Sequence, residues 1–328
     1  MKKTSVLIRD LCRSRVHLNG LLAKRINELF PDKFFAGEIW RRIKHGRKIR
    51  SLLFLSLVNI LNPRVKKSAH MDVCLSIEMV HAASCLVDDI LDGDDVRHGE
   101  WSSQAILGTP VSVLQAHFLS ARALELTSQW SEISKSLIGT YRRLTIGEMY
   151  DILLPEPTSG WICGGYTERV FQKTSAMFQF SFEAAALIAG REELRERLKS
   201  LGYVFGKLYQ FSNDFYDMQK QNIRKRHSAS QSWRITFSLP VACYLKLQGV
   251  KGVRAELKKG MLTYNEWMKF LEKIWVADVH TLAHDVLKET EEEVKTFIES
   301  SGLPRGLQQK FFGLVDLIMQ EDFWYHSC

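Results

Sequence analysis

The sequence lacks the features that mark membrane-spanning and secreted proteins. Its longest apolar stretch, Leu52 to Leu61, is far shorter than the roughly 20 residues that a membrane-spanning helix needs. The first residues include Lys2, Lys3 and Arg9 but no apolar segment followed by a small-residue cleavage site, so we expect no secretory signal. These absences predict a soluble, cytoplasmic protein without a transmembrane segment.

The six cysteines form no recognisable metal-binding or redox pattern. They stand at positions 12, 74, 85, 163, 243 and 328, with no Cys-x-x-Cys pair and no histidine at the spacing of a zinc site. We therefore predict reduced, mostly buried thiols.

Prolines and alternating strand patterns are scarce, whereas helical periodicity is extensive. Only seven prolines occur in 328 residues, and apolar residues recur at i, i+3 and i+4 through long segments such as 71–92 and 192–219. No low-complexity linker or internal repeat divides the chain, and a hydrophobic content of 45% is enough for a large core. We predict an all-α protein in which residues 1–328 form one domain.

The net charge of +8 favours an anionic partner. The basic residues occur in short patches at 41–44, 47–50 and 224–226, without the interleaved aromatic residues that stack on nucleic-acid bases. We therefore expect no nucleic acid, and an anionic small molecule as the substrate.

Two acidic clusters at helical spacing carry most of the functional information. Residues 88–92 read Asp-Asp-Ile-Leu-Asp, and residues 213–217 read Asn-Asp-Phe-Tyr-Asp. Helix positions i and i+3 or i+4 share a face, so each cluster, deep inside a long helix, aims two carboxylates into one space. Mg²⁺ is usually held by one or two carboxylates together with phosphates and waters. The clusters therefore predict a site where a diphosphate leaves, although a solvated acidic turn would also explain the first one.

Further polar residues stand at helix junctions or within apolar helices. Residues 46–50 read Gly-Arg-Lys-Ile-Arg, which suits a polyanion or a solvated basic turn. Asp151 and the pair Lys173-Thr174 lie on apolar helical segments, where a paired core acid and a snorkelling lysine are the simpler interpretations. Glycines at 202 and 206, eight and four residues before Gln210, would let two helices approach closely.

Together and in this order, these segments resemble the trans-prenyl diphosphate synthase, or polyprenyl synthetase, family. The resemblance runs from about Gly46 to Pro240 and includes His81 seven residues before the first acid. It implies an all-α, isoprenoid-synthase-type helical bundle with two aspartate-rich motifs facing a central cavity, usually as a homodimer.

The resemblance also implies a role for each matching residue. On the donor side, Arg97 and Lys173 would contact an allylic diphosphate, while the backbone carbonyl of Thr174 and the side chain of Gln210 would face the allylic cation. Five carboxylates would hold about three Mg²⁺ ions: Asp88, Asp92, Asp151, Asp214 and Asp217. On the acceptor side, isopentenyl diphosphate would be held by Arg47, Arg50, His81 and the position of His98.

The chain-length pocket is expected beneath the first acidic cluster. Ala83 and Ser84 lie one turn before Asp88, where bulky aromatic residues in the family stop the growth of the product. These two small side chains leave the pocket open to Met79 and Val80, which predicts a tail of about C15 to C20 or longer.

Several positions depart from the family pattern. The family usually has arginine at His98, aspartate at Asn213, glutamine at Glu148 and aspartate at the position of His117. Its late basic residue corresponds to Arg234 or is lost at Thr236. Donor ionisation therefore looks intact, whereas the acceptor side looks altered.

We predict a Mg²⁺-dependent prenyltransferase that ionises an allylic diphosphate and condenses it with isopentenyl diphosphate, as a geranylgeranyl-type diphosphate synthase does. The alternative is transfer to another acceptor, such as an indole-type aromatic, because Asn-Asp-x-x-Asp motifs resemble those of family members that prenylate such acceptors. A terpene cyclase is less favoured because its Asn-Ser-Glu motif is absent. A non-catalytic partner subunit is disfavoured because the five carboxylates are retained.

Overall fold

The computed structural model describes residues 2–153, 161–217, 233–234, 237–249, 256, 261–320 and 323. The described helices are α1 (Lys2–Leu29), α2 (Lys33–Ile43), α3 (Ile49–Leu61), α4 (Lys67–Asp92), α5 (Ser103–Leu107), α6 (Thr109–Thr127), α7 (Ser131–Leu153), α8 (Trp161–Val170), α9 (Ala176–Ile188), α10 (Arg195–Asp217), α11 (Leu239–Gln248), α12 (Tyr264–Ile274), α13 (Ala277–Ser300) and α14 (Arg305–Ile318). A π-helical turn (Phe171–Ser175) joins α8 to α9, and a 3₁₀ turn (Glu192–Leu194) precedes α10. The all-α prediction is confirmed.

Two short antiparallel ribbons are the described strands. Strand β1 (Val96–Arg97) pairs with β2 (Glu100–Trp101), and β3 (Trp233–Arg234) pairs with β4 (Met261–Leu262). The first ribbon turns through His98 and Gly99, which both have positive φ, as a two-residue type I′ turn requires. Sequence reasoning missed this hairpin because two-residue strands are too short to show alternation.

The helices pack around one contiguous apolar core. Helix α4 packs chiefly against α6, and α10 packs against α9 and α13. The largest fully buried side chains are mostly aromatic, among them Phe54, Phe178, Phe180, Phe182, Phe205, Phe211, Phe270 and Phe311. This core runs from α1 to α14, and one domain over 1–328 stays a prediction.

Two glycines of α10 explain how closely this helix approaches its neighbour. A Cβ on Gly202 would lie 2.7 Å from the carbonyl oxygen of Phe178, and one on Gly206 would lie 2.6 Å from Cα of Ser175. Real Cβ atoms do not approach backbone so closely, so a larger residue at either position would push α10 away from α9 and the π-helical turn. The predicted role of this glycine row is confirmed.

The cysteines partly contradict the sequence prediction. Cys74 and Cys243 are buried thiols and Cys85 is a half-buried one. Cys12, however, forms a disulfide bond, so the prediction of reduced thiols is wrong there. Spacing along the chain could not reveal this bond, because pairing depends on the tertiary fold.

None of the described helices is both long and apolar enough to cross a membrane.

Candidate active site

The first acidic cluster lies at the carboxyl end of α4 rather than deep inside it. The helix ends at Asp92, and Gly93 caps it with a φ of 70° and an amide that donates to the carbonyl of Asp89. A helix carboxyl end carries partial negative charge, so aspartates there are unfavourable without a positive partner. The position of the cluster therefore favours cation binding, although the prediction of a mid-helix location is wrong.

Lys173 supplies that positive partner from across the bundle. Its Nζ lies 3.1 Å from Oδ1 of Asp88 and 2.8 Å from Oε1 of Glu148. Space for the lysine stem comes from Gly147, because a Cβ there would lie 2.5 Å from Cγ of Lys173. The simpler interpretation of Lys173 as a snorkelling surface lysine is therefore wrong.

Glu148 belongs to the site, and the predicted site residues did not include it. It is buried on α7, and burial and the neighbouring Asp88 raise its pKa above its ordinary value, while Lys173 opposes this shift. Its difference from the family's glutamine was visible in the sequence. The contact of Glu148 with Lys173 was not visible in the sequence, because that contact depends on the packing of α7 against the π-helical turn.

The π-helical turn sets the direction of Lys173 and Thr174. The amide of Ala176 donates to the carbonyl of Phe171 in the i to i+5 pattern of this turn. The extra residue per turn rotates the following side chains relative to a regular α-helix, and such turns often occur at functional sites. Lys173 and Thr174 therefore lie at the one irregular step of the continuous α8–α9 helical run.

A chain of hydrogen bonds runs from this turn to the second acidic cluster. The hydroxyl of Thr174 donates to Oε1 of Gln210 at 2.6 Å, and Nε2 of Gln210 donates to Oδ1 of Asp214 at 2.7 Å. The other oxygen, Oδ2 of Asp214, accepts from the hydroxyl of Tyr166 at 2.6 Å and from the amide of Leu239 at 3.0 Å. Burial raises the pKa of Asp214, while Arg169 and the three donors oppose this shift.

Asn213 and Asp217 occupy a second face of α10. The amide Nδ2 of Asn213 donates to Oδ2 of Asp217 at 3.0 Å. The family's aspartate at position 213 would repel Asp217 instead, so Asn213 lowers the negative charge and forms a hydrogen bond in its place.

The oxygen donors fit Mg²⁺ better at the first cluster than at the second. Asp88 already holds a cation, the ammonium of Lys173, and Mg²⁺ needs few carboxylates when a substrate supplies phosphate oxygens. Asp214 fits poorly because two donors occupy Oδ2 and a third occupies one side of Oδ1. Among the described side chains, no three His, Cys, Asp or Glu residues could hold a metal ion by themselves.

Two further residues were predicted to bind Mg²⁺. Asp92 is half-buried at the end of α4, and the side chain of Asp151 on α7 lies outside the described residues.

Arg47 and Arg50 lie where predicted, at the junction of α2 and α3. Nη1 of Arg50 is 3.4 Å from Nε2 of His81, and the Arg50 guanidinium lies over the ring of Phe178, 4.9 Å from its centroid. The guanidinium of Arg47 lies 4.9 Å from the ring centroid of Phe323. Burial and the charge of Arg50 hold the pKa of His81 well below its usual range, so the half-buried imidazole is neutral near pH 7.

Lys48, which lies between these arginines, is held by an internal ion pair. It is buried at the start of α3 with a φ of 56°, and its Nζ lies 3.1 Å from Oε2 of Glu78. Ser51 donates to the other carboxylate oxygen of Glu78 at 2.6 Å. The charge of Lys48 is therefore neutralised inside the protein.

Arg97 and His98 lie on the β1–β2 hairpin and line a cavity together with His81 and His45. Nε of Arg97 pairs with the buried carboxylate of Asp89, whose pKa burial raises to about 6 against the effect of this arginine. The hairpin places Arg97 at this cavity with the predicted acceptor residues His81 and His98, and its contact with the allylic diphosphate stays a prediction.

The imidazole of His98 stacks on that of His45, with 5.8 Å between the ring centroids. Desolvation and the positive charge of Arg97 lower the pKa of His98. The position that carries arginine in the family therefore carries a neutral ring near pH 7.

The predicted chain-length residues lie on the buried side of α4. Ala83, Met79 and Val80 are buried, and the half-buried Ser84 donates to the carbonyl of His81 at 2.9 Å.

His117 is exposed on α6. The late basic position stays undecided, because the side chain of Arg234 and all of Thr236 lie outside the described residues.

Comparison with known protein sequences identifies related proteins. Residues 38–246 match the polyprenyl synthetase family. The chain is 28% identical over 178 residues to octaprenyl diphosphate synthase of Haemophilus influenzae, covering 52% of each protein. It is 24% identical over 225 residues to geranylgeranyl pyrophosphate synthase of Geoglobus acetivorans, covering 65% of this chain and 68% of that protein. The first of these alignments spans about half the length of the curated relative.

Solved structures share the fold over nearly the whole chain. Geranylgeranyl pyrophosphate synthase of Lactobacillus brevis superimposes with a TM-score of 0.76 at 18% identity, covering 92% of this chain and 95% of that one. A polyprenyl synthase of Caulobacter crescentus, complexed with calcium and isoprenyl diphosphate, gives 0.76 at 19% identity, covering 97% and 98%. The match to the family covers well over half of the sequence. The chain therefore belongs to the polyprenyl synthetase family.

Proposed function

We propose that the protein is a Mg²⁺-dependent prenyltransferase that ionises an allylic diphosphate and condenses the resulting cation with isopentenyl diphosphate. The observation that carries this proposal is the meeting of Lys173 with Asp88 and Glu148. It places an ammonium group among carboxylates at one end of the bundle, which is the charge pattern that a metal-bound diphosphate would need.

On the donor side, Mg²⁺ held by Asp88 and Asp92 would neutralise the charge that develops on the leaving diphosphate. Lys173 would turn from Asp88 to an oxygen of the diphosphate while Glu148 keeps its ammonium group in place. The oxygen of Gln210 and the backbone carbonyl of Thr174 would face the cation as the C–O bond breaks.

On the acceptor side, Arg47, Arg50 and His81 would hold isopentenyl diphosphate. Its double bond attacks the cation, and the new C–C bond leaves a positive charge on the acceptor. A proton is then lost to the released diphosphate, which restores a double bond. Arg50 is already oriented by His81 and by the ring of Phe178.

The chain length of the product is part of the same proposal. The two relatives described above are named as synthases of octaprenyl and geranylgeranyl diphosphate, so family membership does not set the length. Ala83 and Ser84 leave space beside α4, and we propose a tail of about C15 to C20 or longer.

A second candidate is transfer to an acceptor other than isopentenyl diphosphate. The stacked pair of His45 and His98 favours it, because the ring of His98 is neutral near pH 7 at the position where the family has a permanent charge. A neutral aromatic acceptor would stack on such rings without needing an anion site.

We also propose that the protein forms a homodimer. An exposed apolar surface on α5 and α6 includes Leu114, which is 67% exposed, and continues to Phe34, which is 70% exposed. Apolar surface of this kind usually marks a contact with another protein. Sedimentation velocity of the full chain tests this, and a sharp 37.8 kDa monomer at micromolar concentration would contradict it.

The function is tested by incubating the protein with Mg²⁺, farnesyl or geranylgeranyl diphosphate, and isopentenyl diphosphate, each alone and together. Diphosphate release that requires isopentenyl diphosphate, with a product longer by five carbons, supports elongation. Release that requires an added indole compound instead selects the second candidate. No release with any allylic diphosphate contradicts both.

A further inference from the structure

The chemistry of Asp214 fixes which end of the Gln210 amide faces which neighbour. A carboxylate can only accept hydrogen bonds, so the NH₂ group of Gln210 must face Asp214. The 2.7 Å contact between Nε2 and Oδ1 of Asp214 has this arrangement. The amide oxygen is consequently on the side of Thr174, whose hydroxyl reaches it at 2.6 Å.

Tyr166 holds Asp214 from the opposite side. Its hydroxyl donates to Oδ2 of Asp214 at 2.6 Å, and its ring is buried against Phe211, with 5.3 Å between the centroids. The amide of Leu239, at the start of α11, donates to the same oxygen at 3.0 Å. Three donors therefore hold both oxygens of this carboxylate, which is almost fully buried.

We propose that Asp214 and Tyr166 are positioning residues that hold the Gln210 amide with its oxygen toward Thr174. This inference rests on the proposed function, in which that oxygen stabilises the allylic cation. It assigns Asp214 a role other than the metal ligand implied by the family motif, because its three donors leave a metal ion only the second lone pair of Oδ1, beside the Gln210 amide. It also adds Tyr166, which no sequence motif indicated.

The inference predicts a specific kinetic pattern for Tyr166→Phe, which removes one hydroxyl and keeps the ring. With farnesyl diphosphate and isopentenyl diphosphate, kcat should fall about five- to tenfold, the effect of one hydrogen bond. The KM for farnesyl diphosphate should stay within about twofold, because the ground-state complex does not use the oriented oxygen. Ser212→Ala is the control, since it removes a different buried hydroxyl, which lies on α10 and donates to the carbonyl of Ile318. It should leave kcat unchanged.

A double-mutant cycle separates positioning from a general structural effect. In a Gln210→Ala background, Tyr166→Phe should cause no further loss of kcat, because the group that it positions is already gone. Multiplicative losses in the double variant would overturn the proposal.

The metal-ligand alternative is tested by calorimetry with Mn²⁺ and inorganic pyrophosphate. Asp214→Asn should leave their Kd within about threefold, while Asp88→Asn should raise it at least about tenfold. A comparable rise for Asp214→Asn would show that Asp214 binds the metal and would overturn the inference.

A structural measurement distinguishes failure of this inference from failure of the proposed function. The side-chain amide signal of Gln210 in a nitrogen-15 NMR spectrum is identified by its loss in Gln210→Ala. It should shift in Tyr166→Phe and stay in place in Ser212→Ala, even if the wild-type protein releases no diphosphate. An unshifted signal in Tyr166→Phe would overturn the positioning role.

Discussion

The ammonium nitrogen of Lys173 lies 3.1 Å from a carboxylate oxygen of Asp88, although 85 positions separate the two residues. The contact joins the π-helical turn to the carboxyl end of α4. Both segments are locally unfavourable. The turn contains an irregular helical step, and the end of α4 places aspartates at the negative end of a helix. Such local costs are typical of functional sites, where binding requirements override the most stable arrangement.

Replacing Asp88 should remove activity without unfolding the protein. Asp88→Ala deletes a proposed Mg²⁺ ligand, so kcat/KM should fall by roughly two to three orders of magnitude. Lys173 retains its partner Glu148, so no unpaired buried charge remains. Diphosphate release and the circular dichroism melting curve are the measurements. A variant with nearly normal turnover would remove Asp88 from the metal site.

The space beside Gly147 should be required for the position of Lys173. In Gly147→Ala the new Cβ would lie 2.5 Å from Cγ and 3.3 Å from the backbone nitrogen of Lys173, so the lysine must move away from Asp88. We expect a stability loss of about 1–3 kcal/mol and a fall in kcat of about tenfold or more.

Gly139→Ala on the same helix is the matched control. A Cβ there meets only Nη1 of Arg143, at 4.0 Å, so alanine should stabilise α7 by about 0.5–1 kcal/mol and leave kcat unchanged. Equal losses of kcat in the two variants would show that the space beside Lys173 is not the cause.

Local pattern was enough to predict the all-α fold and to propose residues for the site, because both inferences use short-range spacing. The i, i+4 relation of Asp88 and Asp92, for example, follows from helix geometry alone. Contacts between helices could not be predicted in this way. The ion pair of Glu148 with Lys173 and the bond from Tyr166 to Asp214 depend on which helices pack together, and no single segment encodes that.

The hairpin around His98 shows a different limit. Its sequence identified a departure from the family's arginine, but two-residue strands give no periodic signal. The stacking of His98 on His45 therefore became visible only when the type I′ turn brought the hairpin back to the end of α2.

Stability should fall in acid partly because of His81. Its pKa is held well below 6.5 by burial and then by the charges of Arg50, Lys48 and Arg97. The unfolded chain therefore binds a proton at His81 below about pH 6.5, while the folded protein does not. Since the unfolded state binds more protons there, the free energy of unfolding decreases as the pH falls.

The variant His81→Gln should weaken this pH dependence. Between pH 7 and pH 5.5, wild type should lose up to about 1 kcal/mol more unfolding free energy than the variant, measured by urea denaturation. His117→Gln, which replaces an exposed imidazole on α6, is the control. Parallel pH curves for wild type and His81→Gln would mean that the imidazole of the folded protein takes up its proton over the same pH range as in the unfolded chain.

Restoring a permanent charge at position 98 should improve binding of isopentenyl diphosphate if elongation is the reaction. His98→Arg replaces a ring that is neutral near pH 7 with a guanidinium that can form charge-assisted bonds to phosphate. The KM for isopentenyl diphosphate should fall about tenfold. His17→Arg, on an exposed position of α1, adds the same charge elsewhere and should leave this KM unchanged. If KM is the same in wild type and His98→Arg, position 98 does not contact the acceptor.

A large side chain at position 83 should shorten the product. Helix α4 rises about 1.5 Å per residue, so the buried Ala83 lies more than one turn below Asp88, beside the path proposed for the growing tail. The ring of Ala83→Phe would fill that path and stop growth at least one five-carbon unit earlier. Chromatography of dephosphorylated products measures the length, and an unfolding curve checks for overpacking, which typically costs about 1–3 kcal/mol. If the folded variant makes the wild-type product distribution, the tail does not run along this face of α4.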